Sequence, residues 1–470
     1  MALKNFHLSS GLLAGLTASA ALLPRQDGNT VTVDLSVDRG APNHYGSGVL
    51  LGIPDATWPG MNADQIPDNF YKQIGFRYNR GGGSQLPDGA WTTGLDGYYA
   101  RMNSTKSDYD KTRSLGAPFI IMNHDVWGTD RITADDRWPG DDGDWTDYYN
   151  YLDQLLSDLV RLDMLEELKF DIWNEPDIAG FWSRSTEQWV DLYVRTHKYI
   201  RERPEFNSVE IMGPSMQEGA TADYIWWSQW LQAVSSNGIP PDQYSYHLLY
   251  GNNVDLRRYN QTLSDLLVQY GLPERQVNVN EYARPEEQVP STSVWFLSRF
   301  ERYDTFGLRA NWASACQLHD FLANLVTKPG APDSSECGTT GYQPNGQWHA
   351  YAYYGSSMTG RRVASEGSED GVADAFATVG DDRVRILAGV RQQVGTWQLQ
   401  ISGLESVGLP ADGTVSVQTY AFNDNGLYGA VDGPEDRGVV DHKVSGGTVT
   451  FPIYVPEADV DTAFAFEIQL

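Results

Sequence analysis

Apolar and polar positions along this chain fall into two alternating textures. One is short with a period of two, as a half-buried strand requires. The other is longer, with apolar residues returning every three or four positions, as an amphipathic helix requires. The run Leu168-Lys169-Phe170-Asp171-Ile172-Trp173 shows the first, with Leu168, Phe170 and Ile172 alternating with Lys169, Asp171 and Trp173. Pro176 lies just beyond it and has no N–H to give a ladder. Glu175 is therefore expected at the carboxyl end of a strand, directly before a break. Similar runs occupy 47–51, 76–80, 117–123, 209–212, 244–250, 277–280 and 308–312. The second texture recurs between them, in Tyr148, Leu152, Leu155, Leu156, Leu159 and Leu162, in Trp189, Leu192, Tyr193 and Ile200, and in Val294, Phe296, Leu297 and Phe300.

Eight strand–helix alternations predict an α/β fold, a (β/α)8 TIM barrel over 40–358. Its last helix is expected at 348–357, after a Gly-, Pro- and Ser-rich loop at 328–345. Beyond residue 360 the helical period stops. Short runs at 373–378, 384–390, 397–401, 415–421, 448–454 and 463–470 predict an accessory antiparallel β-sandwich over 359–470. The strand-like segment 29–38 has no place in the barrel and is expected to join that sandwich.

Composition narrows the function classes. A net charge of −28 repels phosphate, which argues against nucleic acid or an anionic membrane as partner. Aromatics at 12% supply a large core, and also the flat apolar rings that stack on sugars. Lys4, the apolar run 12–16 and Ala18-Ser19-Ala20 predict a secretory signal peptide over 1–20, with Arg25-Gln26 as a second trimming point. The apolar run is too short to span a bilayer, so the mature protein is expected to be secreted. That compartment favours a disulfide between Cys316 and Cys337, the only cysteines, and makes the sequons at Asn103 and Asn260 usable for glycosylation.

The chemistry gathers at strand ends. Glu175 closes the fourth run and Glu281 the seventh, so both are expected at the carboxyl face of the barrel, where such barrels carry their sites. Two carboxylates across one pocket are the minimal equipment for glycoside hydrolysis: one protonates the leaving oxygen and the other attacks the anomeric carbon. Glu281 is out of phase with Asn278 and Asn280, so a bulge is expected to aim it. Arg77 or Arg80 could hold Glu281 ionised, or be a structural ion-pair partner. His124 could contact a sugar hydroxyl, or be a satisfied core histidine. Trp312 could floor the sugar site, and Trp127, Trp182, Trp226 and Trp227 could line outer subsites; the alternative for each is core packing. Asp125, Asp130, Asp135, Asp136, Asp141, Asp142 and Asp144 lack the glycine and terminal glutamate of a calcium loop, so a solvated surface is expected. No metal site or cofactor is expected.

Trp173-Asn174-Glu175-Pro176 followed by strand-end Glu281 resembles the clan A glycoside hydrolases, and the layout most resembles family 39, which includes β-xylosidases and α-L-iduronidases. The resemblance implies Glu175 as acid/base, Glu281 as nucleophile and Asn174 as the contact to the sugar's 2-hydroxyl. It implies a retaining mechanism and a carbohydrate substrate. The family's sixth strand ends in His-x-Tyr; here it reads His247-Leu248-Leu249-Tyr250, so either His247 or Tyr250 could support Glu281. Two other classes stay open: a carbohydrate lyase, which needs a Tyr or Lys base, and a barrel kept only to bind sugar.

Cys316 and Cys337 close a loop of about 21 residues, a constraint worth roughly 3 kcal/mol. Denatured, unreduced protein should show no reactive thiol. Labelling of two thiols would refute the bridge.

Overall fold

The computed structural model describes residues 28–470 apart from 88, 250–254, 332 and 334–336. The expected signal segment and Tyr250 thus lie outside the described residues. Strand β1 (Thr30–Asp38) leads the chain but belongs to the second sheet. The barrel strands are β2 (Gly48–Leu50), β3 (Tyr78–Gly81), β4 (Phe119–Met122), β5 (Leu168–Asp171), β6 (Glu210–Met216), β7 (Gln243–Leu248), β8 (Gln276–Tyr282) and β9 (Phe306–Arg309). They are parallel and neighbours in chain order, and β9 closes the ring on β2. Around them lie α1 (Asp68–Gln73), α2 (Leu95–Ser114), short α3 (Asn123–Trp127), α4 (Thr146–Arg161), α5 (Thr186–Arg201), α6 (Ile225–Asn237), α7 (Leu256–Tyr270), α8 (Pro290–Arg302) and α9 (Gly346–Ala352). The (β/α)8 barrel read from the periodicity is present. No helix among the described residues is long and apolar enough to cross a membrane.

The two faces of β5 separate as its alternation requires. Leu168 and Phe170 pack outward with Leu152, Leu155 and Leu156 of α4. On the alternate face Lys169 pairs with Glu210 beside the Tyr78 ring, and Asp171 reaches Arg80. Tyr78, Ile120, Met212, Phe306 and Leu308 pack as one apolar cluster below. The barrel is therefore filled, and only its carboxyl end is left for chemistry. The β5 ladder stops at Asp171, earlier than Pro176 suggested, because Asn123 Nδ2 takes the Ile172 carbonyl at 3.1 Å.

Eight further strands join β1 in one mostly antiparallel sheet that closes on itself. They are β12 (Arg361–Glu366), β13 (Ala373–Val379), β14 (Arg383–Val390), β15 (Gly395–Ser402), β16 (Gly413–Phe422), β17 (Glu435–Ser445), β18 (Thr448–Val455) and β19 (Ala463–Gln469). Their order is β1-β12-β13-β14-β19-β16-β17-β18-β15, with β1 parallel to β15 and antiparallel to β12. Two strands escape the sequence reading. β12 buries only Val363, and β17 is exposed along almost its whole length, so neither shows a two-residue period. A two-residue ladder, β10 (Val326–Thr327) with β11 (Gln343–Pro344), closes the long loop at its base, and Cys316 is bonded to Cys337 before and within it.

Helix α8 joins the two bodies. Its Val294 and Leu297 meet Phe376 and Leu387 of the second sheet. A Cβ on Gly389 would stand 2.2 Å from the Ser291 carbonyl, so only glycine admits this approach. Arg299 and Arg302 both bind the fully buried Asp374, and Arg391 binds Glu287 at 2.6 Å. Asp374→Ala should therefore cost about 3–5 kcal/mol, because it strands two buried cations. Denaturant unfolding measures this; an unchanged midpoint would show that the seam does not depend on the pair.

Candidate active site

Arg80 stands two residues after Tyr78 on β3 and so points the same way, into the barrel. It is wholly buried. Its Nε and Nη2 donate to Asp171 Oδ2 at 2.9 and 2.6 Å. Nη2 also donates to Asn174 Oδ1 at 2.6 Å, and Nη1 to Glu281 Oε1 at 2.7 Å. One guanidinium thus organises β5, the loop after it and β8. Arg77 does not share the site. It precedes β3, is exposed, and lies 5.8 Å over the Phe306 ring.

Two bulges bring the remaining groups inward. Tyr246 pairs with Val279 but His247 with Glu281, so Asn280 is the extra residue of β8. Asn280 and Glu281 both reach the interior as a result, as their phase required. Asn280 Nδ2 donates to Asp171 Oδ2 at 3.2 Å and to Ser215 Oγ at 2.9 Å. In β6 the extra residue is Ser215, between Pro214 and Met216. Its hydroxyl donates to Asp171 Oδ1 at 2.8 Å, and its carbonyl accepts the Glu175 N–H at 2.8 Å. That bond holds Glu175 at φ 41°, a left-handed backbone that glutamate seldom adopts without such support.

His247 lies between the two glutamates. Its Nδ1 is 2.9 Å from Glu175 Oε1 and its Nε2 is 3.7 Å from Glu281 Oε1. Burial lowers the imidazole to about 4, so the ring is neutral near pH 7 and can share one proton with Glu175. Burial, reinforced by the nearby charge of Asp177, pushes Glu175 up to about 7. Burial also pushes Glu281 up, as does the charge of Glu175 when ionised, but Arg80 pulls against it, and the 2.7 Å Arg80 bond favours its ionised form. Glu175 has no direct cationic partner of this kind. The pair is therefore unequal in its partners: Glu281 is bonded to a guanidinium, whereas burial beside a neutral ring favours a proton on Glu175.

One atom each from Glu175, His247 and Glu281 lie within 4.8 Å of one another. Those donor types could ligate a metal. Here Arg80 already holds the Glu281 oxygen and His247 the Glu175 oxygen, and a metal would face the guanidinium charge. The arrangement suits acid–base work better.

The other expected residues divide sharply. Asn174 Nδ2 points at Glu175 Oε2, 3.4 Å away. His124 is buried at the start of α3, held through Nε2 by Asp125 Oδ1 at 3.1 Å, with its ring 5.7 Å from Phe181. Trp312 is 44% exposed, and its Nε1 donates to Ala283 O at 2.9 Å, two residues from Glu281. It is an open ring at the rim, not core. Trp127 and Trp182 are the reverse. Trp127 meets Tyr148 and Tyr151 edge-on, and Trp182 is enclosed by Trp138 and Trp173, so neither offers a face to sugar. Trp227 is likewise buried, and Trp226 packs on the same core.

Asp171, Ser215 and Asn280 were not singled out in the sequence. A polar residue at the inward period of β5 could have flagged Asp171; Ser215 sits at a bulge that leaves no local trace. In the acidic loop, Asp130 is bound by Arg101, Asp141 by Arg184 and Asp144 by Arg137, so these three charges meet three different cations. Asn103 is exposed on α2, whereas Asn260 Nδ2 donates to Thr305 Oγ1 at 3.2 Å.

No family model matches the sequence. Solved structures share the fold across nearly the whole chain. N2152 from Neocallimastix frontalis aligns with a TM-score of 0.71 at 19% identity, over 93% of this chain and 98% of that one. The GH39 enzyme from Xanthomonas axonopodis pv. citri aligns at 0.57 and 15%, over 97% and 99%. A monomeric β-xylosidase from Caulobacter crescentus CB15 aligns at 0.54 and 15%, over 94% and 99%. The chain thus shares its fold with solved glycoside hydrolases, a GH39 enzyme among them.

The Glu175 shift has a stability consequence. In the unfolded chain this carboxyl ionises near its ordinary 4.5, but in the fold only near 7. The folded state therefore loses about 3 kcal/mol as pH rises through that window. Glu175→Gln removes the loss, so its melting advantage over the parent should be small at pH 4.5 and large at pH 8. An advantage independent of pH would refute the shifted carboxyl.

Proposed function

We propose that this protein is a secreted retaining glycoside hydrolase acting on plant or microbial polysaccharides or their oligosaccharides. The observation that carries the reading is the unequal pair: Glu281 bonded to Arg80, and Glu175 beside a neutral His247, with carboxylate oxygens within 4.8 Å. Retaining glycosidases keep their carboxyls about 5–5.5 Å apart, whereas inverting ones need about 6.5–9.5 Å to admit a water. The short spacing supports direct attack by Glu281. The fold shared with glycoside hydrolases supports the substrate class, and the sequence of residues 1–20 supports secretion. The proposal includes the partition into a catalytic barrel over 40–358 and an accessory unit over 359–470 joined by 29–38.

In the first step the ionised Glu281 attacks the anomeric carbon while Glu175 gives its proton to the departing oxygen, leaving a glycosyl ester on Glu281. The outgoing alcohol carries away the proton. Glu175 is then a carboxylate, and it takes a proton from the water that opens the ester, restoring both groups and the original anomeric configuration. Asn174, anchored by Arg80, presents its amide beside the acid, where a sugar hydroxyl would lie. Trp312 supplies an open ring at the rim. A lyase would need a Tyr or Lys base in place of Glu281, and a mere binder has no need of a carboxyl raised to about 7.

Leaving-group dependence tests the roles. Glu175→Ala should lose most activity on natural glycosides, by roughly 10²–10⁴-fold, yet keep much of the first step on an aryl glycoside of low leaving-group pKa. Azide should then speed turnover and yield a glycosyl azide of retained configuration. Glu281→Ala should be inactive on both substrates. Equal losses for Glu175→Ala, an active Glu281→Ala, or an inverted first-formed sugar by proton NMR would overturn the assignment.

A further inference from the structure

The solvent side of the second sheet carries a cavity of about 390 Å³, within the size range of ligand sites. Thr30 and Thr32 of β1, Glu366 of β12, Gln400 of β15, Thr450 of β18 and the nearby Glu369 line it. The strand register explains how they meet. Glu366, Thr32, Gln400 and Thr450 are successive partners across four adjacent strands and form a single row. Thr30, Gln398 and Pro452 form the next row on the same face. Tyr454, 62% exposed, stands on β18 four residues beyond Thr450, about 13 Å further along that face.

The alternate residues of these strands, Val31, Val33, Leu399, Ile401, Val449 and Phe451, fill the sheet's core. The fold therefore demands that their neighbours face outward, but not that they be threonine and glutamine. The outward positions of β1, β15 and β18 carry no lysine or arginine. Arg302 lies 4.0 Å from Glu366.

We infer that this face is a second binding site, for a neutral polysaccharide chain. Hydroxyls and amides both donate and accept, as sugar hydroxyls do. Glu366 and Glu369 can accept from sugar hydroxyls and repel polyanions. Two rows beyond Thr450 on the same face, the open Tyr454 ring offers a flat apolar surface with a polar edge, so a ligand that reaches both is extended along β18 rather than compact. The face lies on a different sheet from Glu175 and Glu281, and the inference stands on its own observations.

Affinity electrophoresis tests it, with the full chain run through gels holding neutral arabinoxylan, xyloglucan or mixed-linkage glucan, and polygalacturonate as the anionic comparison. At least one neutral polysaccharide should retard the protein. Tyr454→Ala, and Gln400→Ala with Thr450→Ala, should weaken that binding by roughly fivefold or more, the loss expected for a main anchor. Aryl-glycoside cleavage should be unchanged in these variants, and retardation unchanged in Glu281→Ala. No retardation by any neutral polymer, equal retardation of the face variants, or stronger retardation by polygalacturonate would overturn the inference. A retarded protein that cleaves no aryl glycoside would uphold this site and overturn the catalytic reading instead.

Discussion

Burying the Arg80 guanidinium in the barrel carries a large desolvation cost unless its charge and N–H groups are met. Asp171, Asn174 and Glu281 meet them, from β5, the loop after β5, and β8. The bonds also work in reverse. Asp171 and Glu281 are buried carboxylates that need a cation, and Asn174 needs its amide oriented. Much of the site's geometry is the solution to that one solvation problem. The asymmetry between the glutamates follows from it, because a single guanidinium binds Glu281 directly and leaves Glu175 to burial and a neutral ring.

The backbone bends to serve this arrangement. A regular β8 would send one of Asn280 and Glu281 outward, since neighbouring strand residues face opposite sides. The bulge turns both inward, so Asn280 can bind Asp171 while Glu281 binds Arg80. The bulge at Ser215 does the same in β6 and supplies the carbonyl that secures the strained Glu175 backbone. Register irregularities at these two strands therefore place Glu175, Asn280 and Glu281 rather than mark poor pairing.

Aromatic content divides by exposure, not by residue type. Most tryptophans near the barrel are enclosed edge-to-face by other rings, which leaves them no face for a ligand. Trp312 and Tyr454 are open, one at the barrel rim and one on the second sheet. Helix α8 and the buried Arg–Asp374 pairs bind the two bodies together.

The alternation of strand and helix periods was legible in the sequence, because burial of one face repeats locally at two or 3.6 residues. So were the Asn-Glu-Pro turn, the second strand-end glutamate, its bulge, and the cysteine pair. Strands with little or no buried face, β12 and β17, were not, since nothing periodic records them. The partners of the site were not legible either. Arg80 and Glu281 are 201 positions apart, and Arg77 and Arg80 look alike until the start of β3 and its inward face are known. Likewise Trp127 and Trp312 differ only in whether other rings cover them. Local pattern determined which residues could face inward; strand register, bulges and packing across the barrel decided which of them meet.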